Sequence, residues 1–490
     1  MKQGNVLNNV FWKFAERIGA QFVTVIVSII LARLLSPADY GVIAIVTIFI
    51  TIANVFVSDG FGNALIQKKN ADALDFSSVL YFNVMLSILL YALLFFCAPL
   101  IAKFYGAGYE ILTPVIRVLG LRIIVSAVNS VQQAYIARKM IFKKFFWSTL
   151  IGTLASAFVG IGMAYAGFGV WSLVGQYLTS TTLGTIVLML TLGKKPLLAF
   201  SFQRLKEMFG FGFRILGTRL LITFNQEIRA LIIGKAYSPE ELAYYDKGRQ
   251  FPSLFVNNIN TSIGAVLFPK IAQVQDDKFQ IKSITRKSIR LSSYFITPLM
   301  LGLIAVAEPF VRLILTEKWL PCVPLFQMFC LFYLFQPIHT ANMQAIKAIG
   351  RGDIYLRLEI IKDLIQLIFL LIFMWLSVEA IVLSMAILSI LFTFVNAYPN
   401  RKLLDYPFKQ QMADILPAIG LSLVMAICVY VFGFISMNEW VSFLLQIVIG
   451  GVVYIVLSII TKNQEFNYLV SLLKRKTVAK EQNDGDEFIA

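Results

Sequence analysis

Charged and amide side chains recur at helical spacing inside stretches otherwise too apolar to carry them. In the first such stretch Lys13, Arg17, Gln21, Thr24 and Ser28 follow one another by three or four residues, which puts them on one helix face. The fourth stretch repeats the pattern with Arg122, Ser126, Asn129 and Gln133, and the eighth with Arg249, Ser253, Asn257 and Asn260. The seventh carries Arg214, Thr218, Arg219, Asn225 and Gln226, followed by Glu227 and Arg229, and the tenth carries Gln336, His339, Thr340, Asn342 and Lys347. Arginine offers a planar fork of donors that matches phosphate oxygens, and amides and hydroxyls suit sugar hydroxyls. Such stripes bind an anionic, polyhydroxylated ligand. Acids are few among them, notably Glu16 and Glu227.

The elements that carry these stripes follow from composition. The 490 residues are 58% hydrophobic and 14% charged, and mean hydropathy is +0.76. A soluble domain is roughly a quarter charged. Apolar runs of bilayer-spanning length, about 20 residues, recur from end to end. Backbone inside lipid must satisfy its own hydrogen bonds, and runs such as 363–376 and 416–434 lack the alternation of a barrel strand. The expected fold is therefore all-α and integral to the membrane. Fourteen spans are expected, at roughly 9–34, 40–66, 76–98, 111–137, 146–166, 169–192, 210–235, 241–266, 290–315, 322–348, 355–376, 379–399, 412–434 and 438–461. Lys13, Glu16 and Arg17 inside the first run do not fit the core of a cleavable signal peptide.

The formal net charge of +16 would suggest nucleic acid in a soluble protein. Here the basic residues sit in alternate short loops: Lys68-Lys69, Arg138-Lys139 with Lys143-Lys144, Lys194-Lys195, the 270–290 stretch, Arg351 and Arg401-Lys402. The intervening loops, such as 36–39, 167–169 and 377–379, are nearly free of them. That bias predicts a bacterial inner-membrane protein with the basic loops and both termini cytoplasmic. Four cysteines show no metal or disulfide spacing, and the lone histidine excludes a multi-histidine metal site. His339 reads equally as a satisfied core residue or a proton carrier. No phosphate-binding loop, zinc-protease motif or nucleophile elbow is present, and no cofactor is expected. The exported loops are too short for catalysis and 269–290 reads as basic and featureless, which counts against a membrane polymerase or glycosyltransferase.

The chain repeats itself weakly. The first span ends Ala32-Arg33-Leu34-Leu35-Ser36-Pro37-Ala38-Asp39-Tyr40, and the seventh ends Gly234-Lys235-Ala236-Tyr237-Ser238-Pro239-Glu240-Glu241. The offset that takes Ser36 to Ser238 also pairs Arg17 with Arg219 and Phe22 with Phe224. Two pseudo-symmetric six-helix lobes follow, 1–200 and 201–405, running the same way through the membrane around a central cationic cavity. Two further helices occupy 406–462, and 463–490 reads as a cytoplasmic, largely disordered tail.

Ala32 through Gly41, Asp59-Gly60-Phe61-Gly62-Asn63-Ala64-Leu65-Ile66-Gln67, and Gln133 through Arg138 resemble the polysaccharide transporters of the multidrug/oligosaccharidyl-lipid/polysaccharide exporter superfamily, in particular its colanic-acid-exporter-like lipopolysaccharide flippases. The resemblance implies translocation of undecaprenyl-pyrophosphate-linked oligosaccharide by two rocking six-helix lobes. It implies that arginines on the lobes meet the pyrophosphate, and by position these are Arg17, Arg122, Arg219 and Arg249. Lys13, Gln21, Asn129, Gln133 and Asn257 complete the expected substrate contacts. Coupling to a proton or sodium gradient would fall to Glu16, Asp59 and Glu227. Expected partners are the lipid-linked oligosaccharide, membrane lipids, and the polymerase and glycosyltransferases of the pathway, with no nucleic acid. The alternative is a multidrug or metabolite exporter of the same superfamily, whose sites for cations favour acids where these stripes are basic.

Overall fold

The computed structural model describes residues 3–471 except 59, 107, 194–196 and 275; the side chains of 3–11, 13–18 and 211 also lie outside the description. The described residues are almost wholly helical and include no strand. In order the helices are α1 (Gln3–Leu34), α2 (Pro37–Ser58), α3 (Phe61–Gln67), α4 (Ala73–Tyr105), α5 (Leu112–Lys139), α6 (Phe142–Tyr165), α7 (Val170–Leu192), α8 (Phe202–Ala236), α9 (Pro239–Ala272), α10 (Lys278–Ala305), α11 (Ala307–Ile314), α12 (Val323–Leu334), α13 (Gln336–Ala348), α14 (Gly352–Phe373), α15 (Val378–Leu403), α16 (Phe408–Phe432) and α17 (Glu439–Ile460). A 3-10 turn, Glu317–Cys322, leads into α12.

Among the described residues, ten segments are long and apolar enough to cross a membrane by length and composition. The expected count of fourteen is not reached on that measure: α8 and α14 are diluted by their charges, and the apolar part of α9 by Asn257, Asn258 and Asn260. Of α1, whose side chains are described in full only from Gly19 on, the part Gly19–Leu34 counts as a shorter apolar helix. Of the expected tail, 464–471 is helical, its start capped by Asn463 Oδ1, which accepts from the Glu465 and Phe466 amides, and 472–490 lies outside the described residues. The 269–290 stretch is not featureless either, since α9 continues to Ala272 and α10 begins at Lys278.

The pattern of burial identifies the solvent. On α17 the buried positions are Phe443, Gln446, Gly450, Tyr454 and Ser458, while Leu444, Ile447, Val448, Val452, Ile455 and Ile459 are exposed. On α4, Asp75, Ser77, Ser78, Asn83 and Ser87 are buried, while Met85, Ile88, Leu89, Leu93 and Phe96 face outward. Small and polar residues inside with branched apolar ones outside is the inverse of a soluble helix. It is what lipid selects, since hydrocarbon does not penalise exposed leucine and close packing favours small side chains.

The chain divides into two compact units, Met1–Ala243 and Tyr244–Ala490. In the first, α6 packs on α1 and α7, α5 on α2, α4 and α7, and α8 on α2, α3 and α4. In the second, α10 packs on α12, α13 and α16, and α15 on α12, α13 and α14.

The repeated motif has a local cause. Ser36 Oγ receives the Asp39 amide at 3.2 Å and the Asp39 carboxylate accepts from the Ser36 amide at 3.0 Å, a reciprocal cap at the start of α2. Pro37 then occupies the first helical position. At the start of α9, Ser238 Oγ likewise accepts from the Glu241 amide at 3.2 Å, and Pro239 opens the helix. Gly41 is fixed by a close approach: a Cβ there would lie 1.9 Å from the Pro239 carbonyl oxygen.

Candidate functional site

In the first unit a cavity of about 580 Å³ opens among α2, α3, α5, α6 and α7. Its wall is polar although its elements are apolar. Helix α5 supplies Arg122, Ser126, Asn129 and Gln133, the stripe visible in the sequence; α2 and α3 add Asn54, Ser58 and Asn63; α6 and α7 add Ser148, Thr149, Ser180 and Thr181. Helices α6 and α7 approach closely behind it because Gly152 faces the α7 backbone, where a Cβ would come within 2.9 Å of the Ser180 carbonyl.

The polar groups form a relay. Arg122 Nε donates to Thr181 Oγ1 at 2.9 Å, and the guanidinium lies 5.4 Å from the Tyr177 ring centre. Two turns further along α5, Asn129 Nδ2 donates to Thr185 Oγ1 at 3.0 Å and its carbonyl oxygen accepts from Gln133 Nε2. Asn54 Oδ1 is buried at the wall with no partner among the described residues. A single cation oriented by hydroxyls, with amides around it, fits one anionic group and several hydroxyls.

Arg122, Asn129 and Gln133 are thus brought together. Gln21 on α1 is half-buried, Arg219 on α8 is exposed and Glu227 on α8 is half-buried; none of the three lines this cavity. Arg249 and Asn257 belong to the second unit. Arg249 pairs with Asp246 at 3.2 Å, and Asn257 is exposed on α9. The side chains of Lys13, Glu16 and Arg17, and all of Asp59, lie outside the described residues. His339 is half-buried and hydrogen-bonded through both ring nitrogens: Asn396 Nδ2 lies 2.8 Å from Nδ1, and Nε2 lies 3.1 Å from the Ser389 carbonyl.

The structure adds residues that the sequence reading missed. Lys247 is 4% exposed, donates to Gln250 Oε1 at 3.1 Å and lies 5.7 Å from the Trp319 ring centre. Helix α14 carries Arg357, Glu359, Lys362 and Asp363, with Lys362 bonded to Glu359 at 2.5 Å. Both clusters were visible as charges packed into an apolar stretch (Asp-Lys-Gly-Arg from 246, and 357–363).

Charged pairs tie the ends of three helices in the first unit. Lys68 bridges Asp75 at 2.8 Å and Glu207 at 2.9 Å, and Arg204 reaches Asp72 at 3.3 Å. Asp72 and Asp75 form a capping box at the start of α4. The bond from the Asp75 amide, helped by Arg204, holds Asp72 below the ordinary carboxylate range, and Lys68 does the same for Glu207. Burial alone would lower Lys68, but its bonds to Asp75 and Glu207 outweigh that and raise it. Arg138 donates to the carbonyls of Leu65, Lys68 and Lys69, closing the C-terminal end of α3.

A bundle of lipid-facing helices holding a hydrophilic cavity defines a membrane transporter. The chain belongs to the polysaccharide biosynthesis protein family, whose model matches residues 30–324. It is similar to the succinoglycan biosynthesis transport protein ExoT of Rhizobium meliloti, at 24% identity over 354 residues, covering 71% of this chain and 70% of that one. It is similar also to the lipopolysaccharide biosynthesis protein WzxC of Escherichia coli, at 23% identity and 68% of each chain. Its fold is that of a solved lipid II flippase, MurJ, in an inward closed conformation: TM-score 0.74, 18% identity, 93% of this chain and 99% of that one.

Proposed function

We propose that this protein moves an oligosaccharide linked to a polyprenyl pyrophosphate, undecaprenyl in bacteria, across the inner membrane by alternating access, and that it catalyses no covalent step. The observation that carries the reading is Arg122, a cation held within the membrane-spanning bundle by Thr181 on the wall of a hydroxyl- and amide-rich cavity. Charge inside a bundle is costly and persists where it serves a ligand or pathway. Phosphate would take the guanidinium, and sugar hydroxyls would take Asn129, Gln133 and Asn54. The polyprenyl tail stays in lipid. Relatives named for succinoglycan and lipopolysaccharide biosynthesis support a polysaccharide precursor as cargo.

In this reading Arg17, Arg219 and Arg249 act with Arg122 as the sequence halves 1–200 and 201–405 rock about the cargo, and Lys13, Gln21 and Asn257 serve the same path. Glu16, Asp59 and Glu227 are the groups for ion coupling. The Lys- and Arg-rich loops and both termini face the cytoplasm, where pathway glycosyltransferases deliver the cargo; the polymerase takes it on the other side. The test is flipping of a fluorescent undecaprenyl-pyrophosphate oligosaccharide in proteoliposomes. Transport of that substrate, and none of cationic dyes, is the expected result. Dye transport without prenyl-pyrophosphate transport would turn the reading into the exporter alternative.

A further inference from the structure

Three helices of the second unit change from charged to uncharged at one place. Helix α10 carries Lys282, Arg286, Lys287 and Arg290 and then no charge from Leu291 to its end; α16 carries none after Asp414; α17 is uncharged from Trp440 on and is followed by Lys462. These boundaries meet around two adjoining cavities of about 370 and 540 Å³. Between them the linings hold five cations, the four on α10 and Lys462, against two carboxylates, Asp414 and Glu465.

The carboxylates do not use up the donors. Arg286 gives Nε and Nη2 to Asp414 at 2.7 and 2.6 Å. Arg290 gives Nε to Glu465 and Nη2 to Gln464. Each keeps an Nη1 with no hydrogen bond among the described residues. Lys287 rests 3.7 Å from the Tyr468 ring centre, which leaves its ammonium protons for another acceptor.

Below the charges the larger cavity continues along Ala413, Pro417 and Gly420 of α16, all exposed and on one face. A methyl added at Gly420 would meet no atom within 4 Å. Pro417 has no amide, so the Ala413 carbonyl loses its helical donor and remains an acceptor at the cavity wall.

We infer that this crevice, bounded by α10, α16 and the 461–468 segment, is a binding site for an anionic glycerophospholipid of the leaflet on the Lys/Arg-rich side. The phosphodiester sits on the Nη1 groups of Arg286 and Arg290 and on Lys462. A headgroup hydroxyl meets the Ala413 carbonyl, and an acyl chain runs down the Pro417–Gly420 face. A lipid is favoured over a soluble anion because the cationic end opens onto a small-residue apolar face at the depth where the charges stop. Basic pockets at that depth attract anionic headgroups. The site is separate from the Arg122 cavity and does not depend on what the protein transports.

The experiment is thermal unfolding of the full chain in detergent doped with phosphatidylglycerol, with phosphatidylcholine, or with inorganic phosphate. Binding to the native state alone raises the unfolding temperature in proportion to occupancy. Phosphatidylglycerol should raise it well above phosphatidylcholine, and phosphate should not. Arg286→Gln with Asp414→Asn, which keeps a polar pair, and separately Gly420→Leu, which leaves every charge in place and fills the crevice, should each remove most of that increment. Equal shifts from the two lipids, or an unchanged increment in Gly420→Leu, would overturn the site. A shift from phosphate that equals the lipid's would overturn the lipid as occupant. The Gly420→Leu arm decides even if the double substitution does not fold.

Discussion

Replacing Arg122 by Gln separates ligand binding from folding. Nε is committed to Thr181 at 2.9 Å, and the two Nη nitrogens carry no hydrogen bond among the described residues. Each charge-assisted bond to a phosphate oxygen is worth about 1.5–3 kcal/mol. Losing two, with some recovered by the glutamine amide, leaves a deficit of about 2–3 kcal/mol, or a loss of headgroup affinity of roughly 30- to 150-fold. The effect on folding has the other sign. A charge within the bilayer costs about 2.5–3.5 kcal/mol on insertion scales, which matches or exceeds the about 1.5–3 kcal/mol of its charged bond to Thr181. The variant should therefore unfold at the same temperature as the parent or higher while its flipping rate falls. The assay pairs initial flipping rates in proteoliposomes with calorimetric affinity for a short-chain prenyl pyrophosphate and with thermal unfolding. Native affinity and rate in the variant would refute the cavity assignment. A fall in unfolding temperature that accounts for the lost activity would make Arg122 a structural residue.

Arg138→Met removes the donors that close α3, and loss of these charged bonds to Leu65, Lys68 and Lys69 should cost about 2–4 kcal/mol, read by thermal unfolding in detergent. Gly41→Ala drives a methyl into the Pro239 carbonyl and should destabilise by at least about 2 kcal/mol, whereas Gly62→Ala, with open space around it, should not. Asp72 and Glu207 sit below their ordinary values of 3.8 and 4.5, so their stabilisation is complete above those values and is lost as pH falls through the lower folded ones. Lys68 is raised above 10.5, so its contribution is complete below that value and is lost as pH rises past it. Unfolding temperature should accordingly be flat from about pH 5 to 10 and drop on both sides, with Asp72→Asn flattening the acid limb. Lys247→Met replaces a buried ammonium with an apolar group of similar length and should leave stability unchanged or raise it by about 1–4 kcal/mol, with flipping as the readout of whether the charge serves transport.

Much of the fold was legible because a lipid solvent makes few demands and makes them of every span. Backbone must be helical, outward faces must be apolar, and charge bias marks a side, so composition and periodicity alone give the class of fold and the limits of most helices. The Ser-Pro motifs at 36 and 238 were readable as a repeat, and the serine caps at both are local enough that the residues dictate them. The α5 stripe was readable too, because Arg122, Asn129 and Gln133 reach one face through helical spacing alone. Tertiary structure decided what depends on residues far apart in the chain. That Arg122 is held by Thr181, that Gly41 marks a helix crossing, that His339 is closed off by Asn396 and Ser389, and that Arg286 and Arg290 meet Asp414 and Glu465 are all contacts between separate elements. Helical period fixes the face on which a side chain leaves its own helix, but only packing determines which neighbour that face meets. For an arginine in a bilayer, that neighbour is what separates a structural charge from a binding one.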